Sequence, residues 1–236
     1  LSRGLGDVYK RQIYIGVVGP VRTGKSTFIK RFMDLLVLPY ITDEAEKVRA
    51  QDELPQSSGG KTITTTEPKF IPKEAAQITL SGDVNVKVRL VDCVGYLVEG
   101  ALGHLENDVP RMVDTPWFEE KIPFGEAAEI GTKKVITEHS TIGLVVTTDG
   151  SITDIARSEY EEAEERVITE MKNTGKPFAI LLNCIDPAQE ETLAIREMLG
   201  EKYGVPVLPV NCSSMSQEDI NLSLIHISEP TRQEAI

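Results

Sequence analysis

The chain has 236 residues, of which 40% are hydrophobic and 26% are charged, a composition that suits one soluble domain with a sizeable core. Its formal charge of -12 and isoelectric point near 4.8 argue against an electrostatic grip on nucleic acid or anionic lipid, because both are polyanions. We therefore expect no nucleic-acid partner. The three cysteines, Cys93, Cys184 and Cys212, are widely separated, which favours free thiols in a reducing cytoplasm.

The two ends of the chain carry no pattern that continues into their neighbouring segments. Residues 1–12 and residues 221–236 both resemble translated sequencing-adaptor sequence, and we expect both to be non-native extensions. The predicted domain therefore spans residues 13–220.

The first predicted strand leads into a glycine-rich turn. Residues 13–18 read IYIGVV, which is typical of a strand buried on both faces of a parallel sheet. Residues 19–26 read GPVRTGKS and match the P-loop pattern G-x-x-x-x-G-K-[ST], and residues 26–36 have helical spacing. In this motif backbone amides and a helix N-terminus surround the phosphates of a nucleotide. The predicted nucleotide-binding residues are Gly19, Arg22, Thr23, Gly24, Lys25, Ser26, Thr27 and, from a later motif, Gly95.

Two P-loop side chains have predicted chemical roles. We expect Lys25 to neutralise the β and γ oxygens of a nucleoside triphosphate and Ser26 to ligate Mg²⁺. Arg22 could stabilise charge during hydrolysis, or it could be a surface residue without a catalytic share.

A long loop is predicted over residues 37–70, which are weakly periodic and rich in threonine, serine and glycine. Its threonines could close over the metal and the γ-phosphate of a bound triphosphate. The alternative is ordinary solvated chain. We predict catalytic roles for Thr65 and Thr66, and a metal-binding role for Thr66, ahead of Thr62 and Thr64.

A hairpin is predicted next, with strands at residues 76–80 and 84–91, and its second strand ends at Asp92-Cys93-Val94-Gly95. Strand C-termini of an open parallel sheet meet at the ligand crevice, so Asp92 should face the phosphates near Lys25. Its predicted roles are catalytic and metal-binding, mainly through water. Gly95 can offer its N–H to the γ-phosphate. A helix cap or a turn is the alternative for Asp92.

Residues 96–133 are predicted to be irregular, and Trp117, Phe118 and Phe124 within them could meet a neighbouring subunit or fill the core. Farther on, the acidic helix predicted over residues 159–170 suggests a solvated outer face, with a partner site as the alternative. The remaining predicted strands lie at residues 141–147, 178–182 and 205–210, and the predicted helices at residues 155–174 and 188–203. Alternating strands and helices predict an α/β P-loop nucleoside triphosphatase with a mostly parallel central sheet and helices on both faces.

The order of P-loop, loop threonine and D-x-x-G resembles the translation-factor-related GTPases. The base-reading signature departs from that group, because the expected strand end reads Asn183-Cys184-Ile185-Asp186, with cysteine where the group carries a lysine. Tyr96 also stands where several such GTPases hold a water-orienting glutamine. The resemblance to this group therefore does not predict guanine specificity.

More specific strings cover residues 13 to about 220. They read VRTGKSTFIKRFM, RAQDELPQS, TTTEPKF, RLVDCVGY, PRMVDTPWFEE, EAAEIGTKKVI, EHSTIG and VTTDGSITDIARSEY. Together they resemble the stage IV sporulation protein A family of spore-coat morphogenetic ATPases. The resemblance implies that Lys25 is the Walker A lysine, Thr65 and Thr66 are the sensor threonines, and Asp92 is the Walker B aspartate.

The same resemblance implies a function. It predicts an ATPase that uses ATP and Mg²⁺, with hydrolysis driving self-association into the basement layer of the coat. It implies a mother-cell location, peripheral at the outer forespore membrane. Coat proteins and a small membrane-anchoring peptide are the implied partners, through regions that this chain lacks. The alternatives are a GTPase switch of the ribosome-assembly type and a nucleotide-bound scaffold that does not hydrolyse.

Overall fold

The structure, a computed structural model, describes residues 12–55, 67–80, 84–99, 101, 105–106 and 109–228. Buried apolar runs form the central strands, and segments with one apolar face form the helices around them. The strands are β1 Gln12–Val18, β2 Lys69–Leu80, β3 Val84–Asp92, β4 Leu105–Glu106, β5 Val109–Pro110, β6 Met112–Thr115, β7 Phe118–Pro123, β8 Ile142–Thr148, β9 Phe178–Asn183 and β10 Val207–Val210. The helices are α1 Lys25–Phe32, α2 Glu44–Asp52, α3 Phe124–Lys134, α4 Arg157–Thr174, α5 Glu190–Tyr203 and α6 Gln217–Ser228.

A six-stranded sheet has the order β10-β9-β8-β1-β3-β2. Every neighbouring pair is parallel except β2 with β3, which are antiparallel and follow each other closely in the sequence. Val17 near the end of β1 is in register with Asp92 at the end of β3. The P-loop and the D-x-x-G segment therefore leave the sheet side by side.

The sheet separates two apolar clusters, as expected for a parallel sheet covered on both faces. One cluster joins the sheet to α1, α2 and α6, through side chains such as Phe28, Ala50 and Leu224. The other joins it to α4, to α5 and to the helical turn that follows α3, through side chains such as Val167, Leu199 and Ile136. The predicted α/β class, with a mostly parallel sheet and helices on both faces, is confirmed.

Two segments predicted to be irregular contain regular structure. Residues 37–70 include α2, where the Asp43 carboxylate caps the helix by accepting from the Glu46 N–H at 2.7 Å. Residues 96–133 include two short hairpins, β4 with β5 and β6 with β7, followed by most of α3. The predictions of irregular chain were wrong over these elements. Helix α2 and strands β5 to β7 bury few side chains, so their hydrophobic periodicity is weak, whereas α3 was missed although it buries Phe124, Ala127 and Ala128.

The aromatic residues of the central segment divide between core and surface. Phe124, the first residue of α3, is fully buried, whereas Phe118 is 48% exposed and Trp117 is half-buried. The acidic helix α4 also has two sides. Its Glu164 is buried and paired with Arg157 at 2.8 Å, so the prediction of a wholly solvated face was wrong at this position. An ion pair offsets the cost of burying that carboxylate.

The end of the described chain is helical. Helix α6 crosses residue 220, and both Ile220 and Leu224 lie in the core. The domain boundary at that residue stays a prediction.

Cys93, Cys184 and Cys212 are buried free thiols. Within the described ranges, none of the helices combines the length and the apolar character needed to cross a bilayer.

Candidate active site

The P-loop joins β1 to α1 and turns sharply at Gly24. This glycine has φ of +96°, in the left-handed region that side chains disfavour. A Cβ at Gly24 would lie 2.2 Å from Nδ2 of Asn183. The Gly24 carbonyl accepts the Phe28 N–H at 2.9 Å, which begins the helix. Glycine is therefore required at this position by both conformation and space.

Lys25 is the first residue of α1 and is only 5% exposed. Its ammonium donates to the Pro20 carbonyl at 2.6 Å and to the Gly19 carbonyl at 3.4 Å, so it lies across the loop. Burial lowers the pKa of Lys25, and the charges of Cys93 and Asp92 act in the opposite direction. The Lys25 amino group therefore lies at the centre of the predicted phosphate site.

Asp92 ends β3 beside the P-loop. Burial raises the pKa of its carboxyl to about 6, although the nearby positive charge of Lys25 lowers it. Among the described residues, Asp92 Oδ1 is buried and has no hydrogen-bond partner. The predicted proximity of Asp92 and Lys25 is present in the structure. Their roles in catalysis and metal binding stay predictions.

Gly95 packs directly against the P-loop. Its φ is +98°, and a Cβ there would lie 2.2 Å from the Gly19 carbonyl oxygen and 2.6 Å from Lys25 Nζ. Next to it, Tyr96 O accepts the Val21 N–H at 2.9 Å. The Gly95 N–H donates to the Thr132 hydroxyl at 3.1 Å. The segments that follow β1 and β3 thus meet around Lys25, and α3 contacts the second of them through Thr132.

The Tyr96 side chain leaves the site. Its ring is 2% exposed, its hydroxyl donates to Glu170 on α4, and the Arg166 guanidinium lies 4.1 Å from the ring centroid. Burial raises the pKa of Tyr96, and the hydrogen bond to Glu170 adds to that effect. Tyr96 therefore joins the D-x-x-G segment to α4 and does not face Lys25.

The Asn183-Cys184-Ile185-Asp186 segment contributes a structural contact. Asn183 donates from Nδ2 to the Thr23 carbonyl at 2.9 Å, while its Oδ1 accepts the Cys212 N–H at 3.0 Å. Cys184 is fully buried, with its thiol 3.4 Å from the Val210 carbonyl. Asp186 is exposed and accepts the Ala188 N–H at 2.9 Å through Oδ1. In this segment, the contact with the P-loop comes from Asn183.

Other predicted residues have less defined surroundings. Arg22 is exposed, has φ of +62° and lies close enough to Tyr160 for its charge to act on that hydroxyl. Thr23 is buried and donates to the Pro20 carbonyl at 3.0 Å, which stiffens the loop. Ser26 and Thr27 lie in the first turn of α1 and are half-buried. The predicted threonines Thr62, Thr64, Thr65 and Thr66 lie outside the described residues.

The donor set fits a magnesium-assisted nucleotide site. The unpartnered Oδ1 of Asp92 is a hard oxygen that a metal-bound water could satisfy, and Ser26 supplies a hydroxyl at the helix start. One contact had no sequence signal. Thr132 lies on α3, far along the chain from both motifs, and only the fold brings its hydroxyl to Gly95.

Comparisons with known proteins agree with these motifs. The family model described as stage IV sporulation protein A, ATPase domain, matches residues 3–229. Stage IV sporulation protein A of Bacillus subtilis (strain 168) is 62% identical over 208 residues, covering 88% of this chain and 42% of that protein. The same-named protein of Clostridioides difficile (strain 630) is 59% identical over 217 residues, covering 91% and 44%. That of Bacillus anthracis is 56% identical over 208 residues, covering 88% and 42%.

The chain thus spans less than half the length of these three relatives. Its resemblance to their family, first indicated by the sequence strings, is confirmed over most of its length. The chain belongs to the family of the stage IV sporulation protein A ATPase domain.

Proposed function

We propose that this chain binds ATP with Mg²⁺ at the P-loop and hydrolyses it. One observation carries the proposal. Lys25, the carboxyl of Asp92 and the backbone of Gly95 lie together at the carboxyl ends of the central strands. Phosphoryl transfer depends mainly on positioning and on stabilising charge at the phosphate oxygens. These residues have the charges and backbone groups for both tasks.

Each residue has a defined part in the proposal. Lys25 binds the β and γ oxygens in place of the Pro20 and Gly19 carbonyls that it now contacts. Ser26, Asp92 and Thr66 would hold Mg²⁺, which when bound neutralises phosphate charge. Asn183 keeps the loop in shape through the Thr23 carbonyl. Thr65 or Thr66, or a group from a second chain, would place the water.

We also propose slow turnover for the isolated chain. The Tyr96 ring is directed toward α4, so it does not orient water beside Lys25. Arg22 is exposed next to the predicted phosphate site and could stabilise charge. In the complete protein, hydrolysis would drive self-association into the coat basement layer in the mother cell, at the outer forespore membrane. Coat proteins and a membrane-anchoring peptide would contact parts of the family's proteins that lie outside the matched residues.

Phosphate release tests the enzymatic proposal. The Lys25→Ala variant should lose roughly 100-fold or more of its phosphate-release rate, because the charge that stabilises the transferring group is removed. Lys30→Ala provides a matched control, since Lys30 is exposed on the same helix. Equal release by the wild type and by Lys25→Ala would refute hydrolysis at this site and favour a scaffold that only binds nucleotide.

Competition between nucleotides tests the choice of base. ATP should displace a bound fluorescent nucleotide at lower concentration than GTP. Two observations support the choice of ATP: Cys184 is buried toward Val210 and does not supply the lysine stem expected beside guanine, and the Asp186 carboxylate accepts the Ala188 N–H. Tighter binding of GTP would instead support the GTPase alternative.

A further inference from the structure

The Thr132 hydroxyl is buried close to the candidate site and has no role in the proposed hydrolysis. It lies on α3 and is 0% exposed. Its oxygen accepts the Gly95 N–H at 3.1 Å, and its own hydrogen is donated to the Ala128 carbonyl at 2.8 Å. The hydroxyl therefore serves as an acceptor toward Gly95, and Cys93 lies within hydrogen-bonding reach of both groups.

A bound γ-phosphate would compete with Thr132 for the amide hydrogen of Gly95. Its backbone lies close enough to Lys25 that an added Cβ would meet the ammonium at 2.6 Å. A γ-phosphate held by Lys25 would thus approach the Gly95 amide. An amide carries one hydrogen, and a charged phosphate oxygen is a stronger acceptor than a neutral hydroxyl.

We propose that Thr132 holds the Gly95 amide when no γ-phosphate is present and releases it to the phosphate when ATP binds. Thr132 is then a positioning residue that couples the triphosphate to helix α3. This inference rests on the proposed function, because it requires a nucleotide at the P-loop.

Helix α3 connects this contact to the surface. At its start, the Phe124 N–H donates to the Arg111 carbonyl at 2.7 Å, and the Arg111 guanidinium lies 4.3 Å from the Phe124 ring centroid. At its end, Lys134 Nζ lies 5.9 Å from the centroid of the Trp117 ring, in the turn between β6 and β7. A shift of α3 therefore changes the surroundings of Trp117.

Trp117 is the only tryptophan in the sequence, so its fluorescence reports on this contact without a label. In the wild-type chain with magnesium, a non-hydrolysable ATP analogue should change the Trp117 emission, and ADP should not. Identical emission with the two nucleotides would overturn the coupling to α3.

Two variants test the role of the hydroxyl itself. Thr132→Val keeps the side-chain volume but removes the hydroxyl that accepts the Gly95 N–H when no γ-phosphate is bound. The ratio of the dissociation constant of ADP to that of the ATP analogue should therefore rise roughly fivefold, with loss of the emission difference. Thr132→Ser should keep both wild-type values.

The outcomes separate this inference from the proposed function. Equal changes in the affinities of ADP and the ATP analogue in Thr132→Val would make Thr132 a merely structural residue and overturn the inference, while the proposed function stands. A wild-type chain that binds neither nucleotide would overturn the proposed function and this inference with it.

Discussion

Gly24 is the P-loop residue whose replacement has the clearest expected effect. In Gly24→Ala, the new Cβ would have to displace the Asn183 amide 2.2 Å away while the backbone kept φ of +96°. We expect ATP affinity to fall at least about tenfold and the free energy of unfolding to fall by about 1–3 kcal/mol. Urea denaturation and nucleotide titration measure the two effects.

Gly200 provides the matched control for that substitution. It lies inside α5, and an added Cβ meets nothing within 4 Å. Gly200→Ala should stabilise the fold by up to about 1 kcal/mol, because alanine favours a helix interior over glycine. Similar destabilisation by both substitutions would contradict the contact between Gly24 and Asn183.

Ionisation of Asp92 should make the free energy of unfolding depend on pH. Burial raises its pKa to about 6 from the ordinary carboxyl value of 3.8, so between these pH values the folded chain holds a proton that the unfolded chain has lost. The free energy of unfolding should therefore fall as the pH rises from about 4 to about 6, by on the order of 2 kcal/mol from this group. Denaturation without nucleotide or magnesium measures the slope.

The Asp92→Asn variant isolates that contribution. Its stability should lack this fall between pH 4 and 6, because asparagine does not titrate. Asp154→Asn removes a carboxylate at an exposed position and controls for net charge. A slope in Asp92→Asn equal to that of the wild type would show that the Asp92 carboxyl is not buried beside Lys25 in solution.

At the level of elements, Tyr96 joins the D-x-x-G segment to α4. Its hydroxyl donates to Glu170, and Arg166 covers its ring. Tyr96→Phe keeps the ring and loses the hydrogen bond, so we expect about 1 kcal/mol less stability and phosphate release within about twofold of the wild type. A loss of roughly 100-fold in phosphate release, with the fold intact, would give the hydroxyl a role in placing water.

The elements that the sequence predicted well are those with strong local signals. The strand over residues 13–18, the P-loop and the helix that follows depend on neighbours along the chain, and the structure has β1 at Gln12–Val18 and α1 from Lys25. Helix α2 was missed because Ala50 is its one buried residue. Its only signal was Asp43 three residues before Glu46, a capping pattern.

The residues of the candidate site also differ in how well the sequence predicted them. Asp92 was predicted to lie near Lys25 because strand ends of a parallel sheet converge, a rule that needs no side-chain detail. The contacts of Asn183 with Thr23 and of Thr132 with Gly95 depend on how α3 and the strand ends pack. Sequence spacing carries no information on such packing.

In the whole molecule, the carboxyl ends of the strands form the candidate site, and the two helical layers stabilise the sheet. The segments that follow β1, β3 and β9 meet at the carboxyl ends of these strands and form the candidate site. The strands must therefore keep their register. The layers fix that register by burying apolar side chains against each face. A change in a distant helix should therefore alter stability before it alters nucleotide binding.

Helix α6 tests this view at the predicted domain boundary. Leu224 is buried in the cluster that contains α1, and Leu222 on the same helix is 45% exposed. Leu224→Ala should lower the free energy of unfolding by about 2–3 kcal/mol, whereas Leu222→Ala should change it by less than about 0.5 kcal/mol. Urea denaturation measures both. Because α6 lies outside the contacts around Lys25, ATP affinity of the folded Leu224→Ala chain should stay at the wild-type value. Equal stability of the two variants would show that the segment beyond residue 220 does not pack on the domain, as expected for a non-native extension.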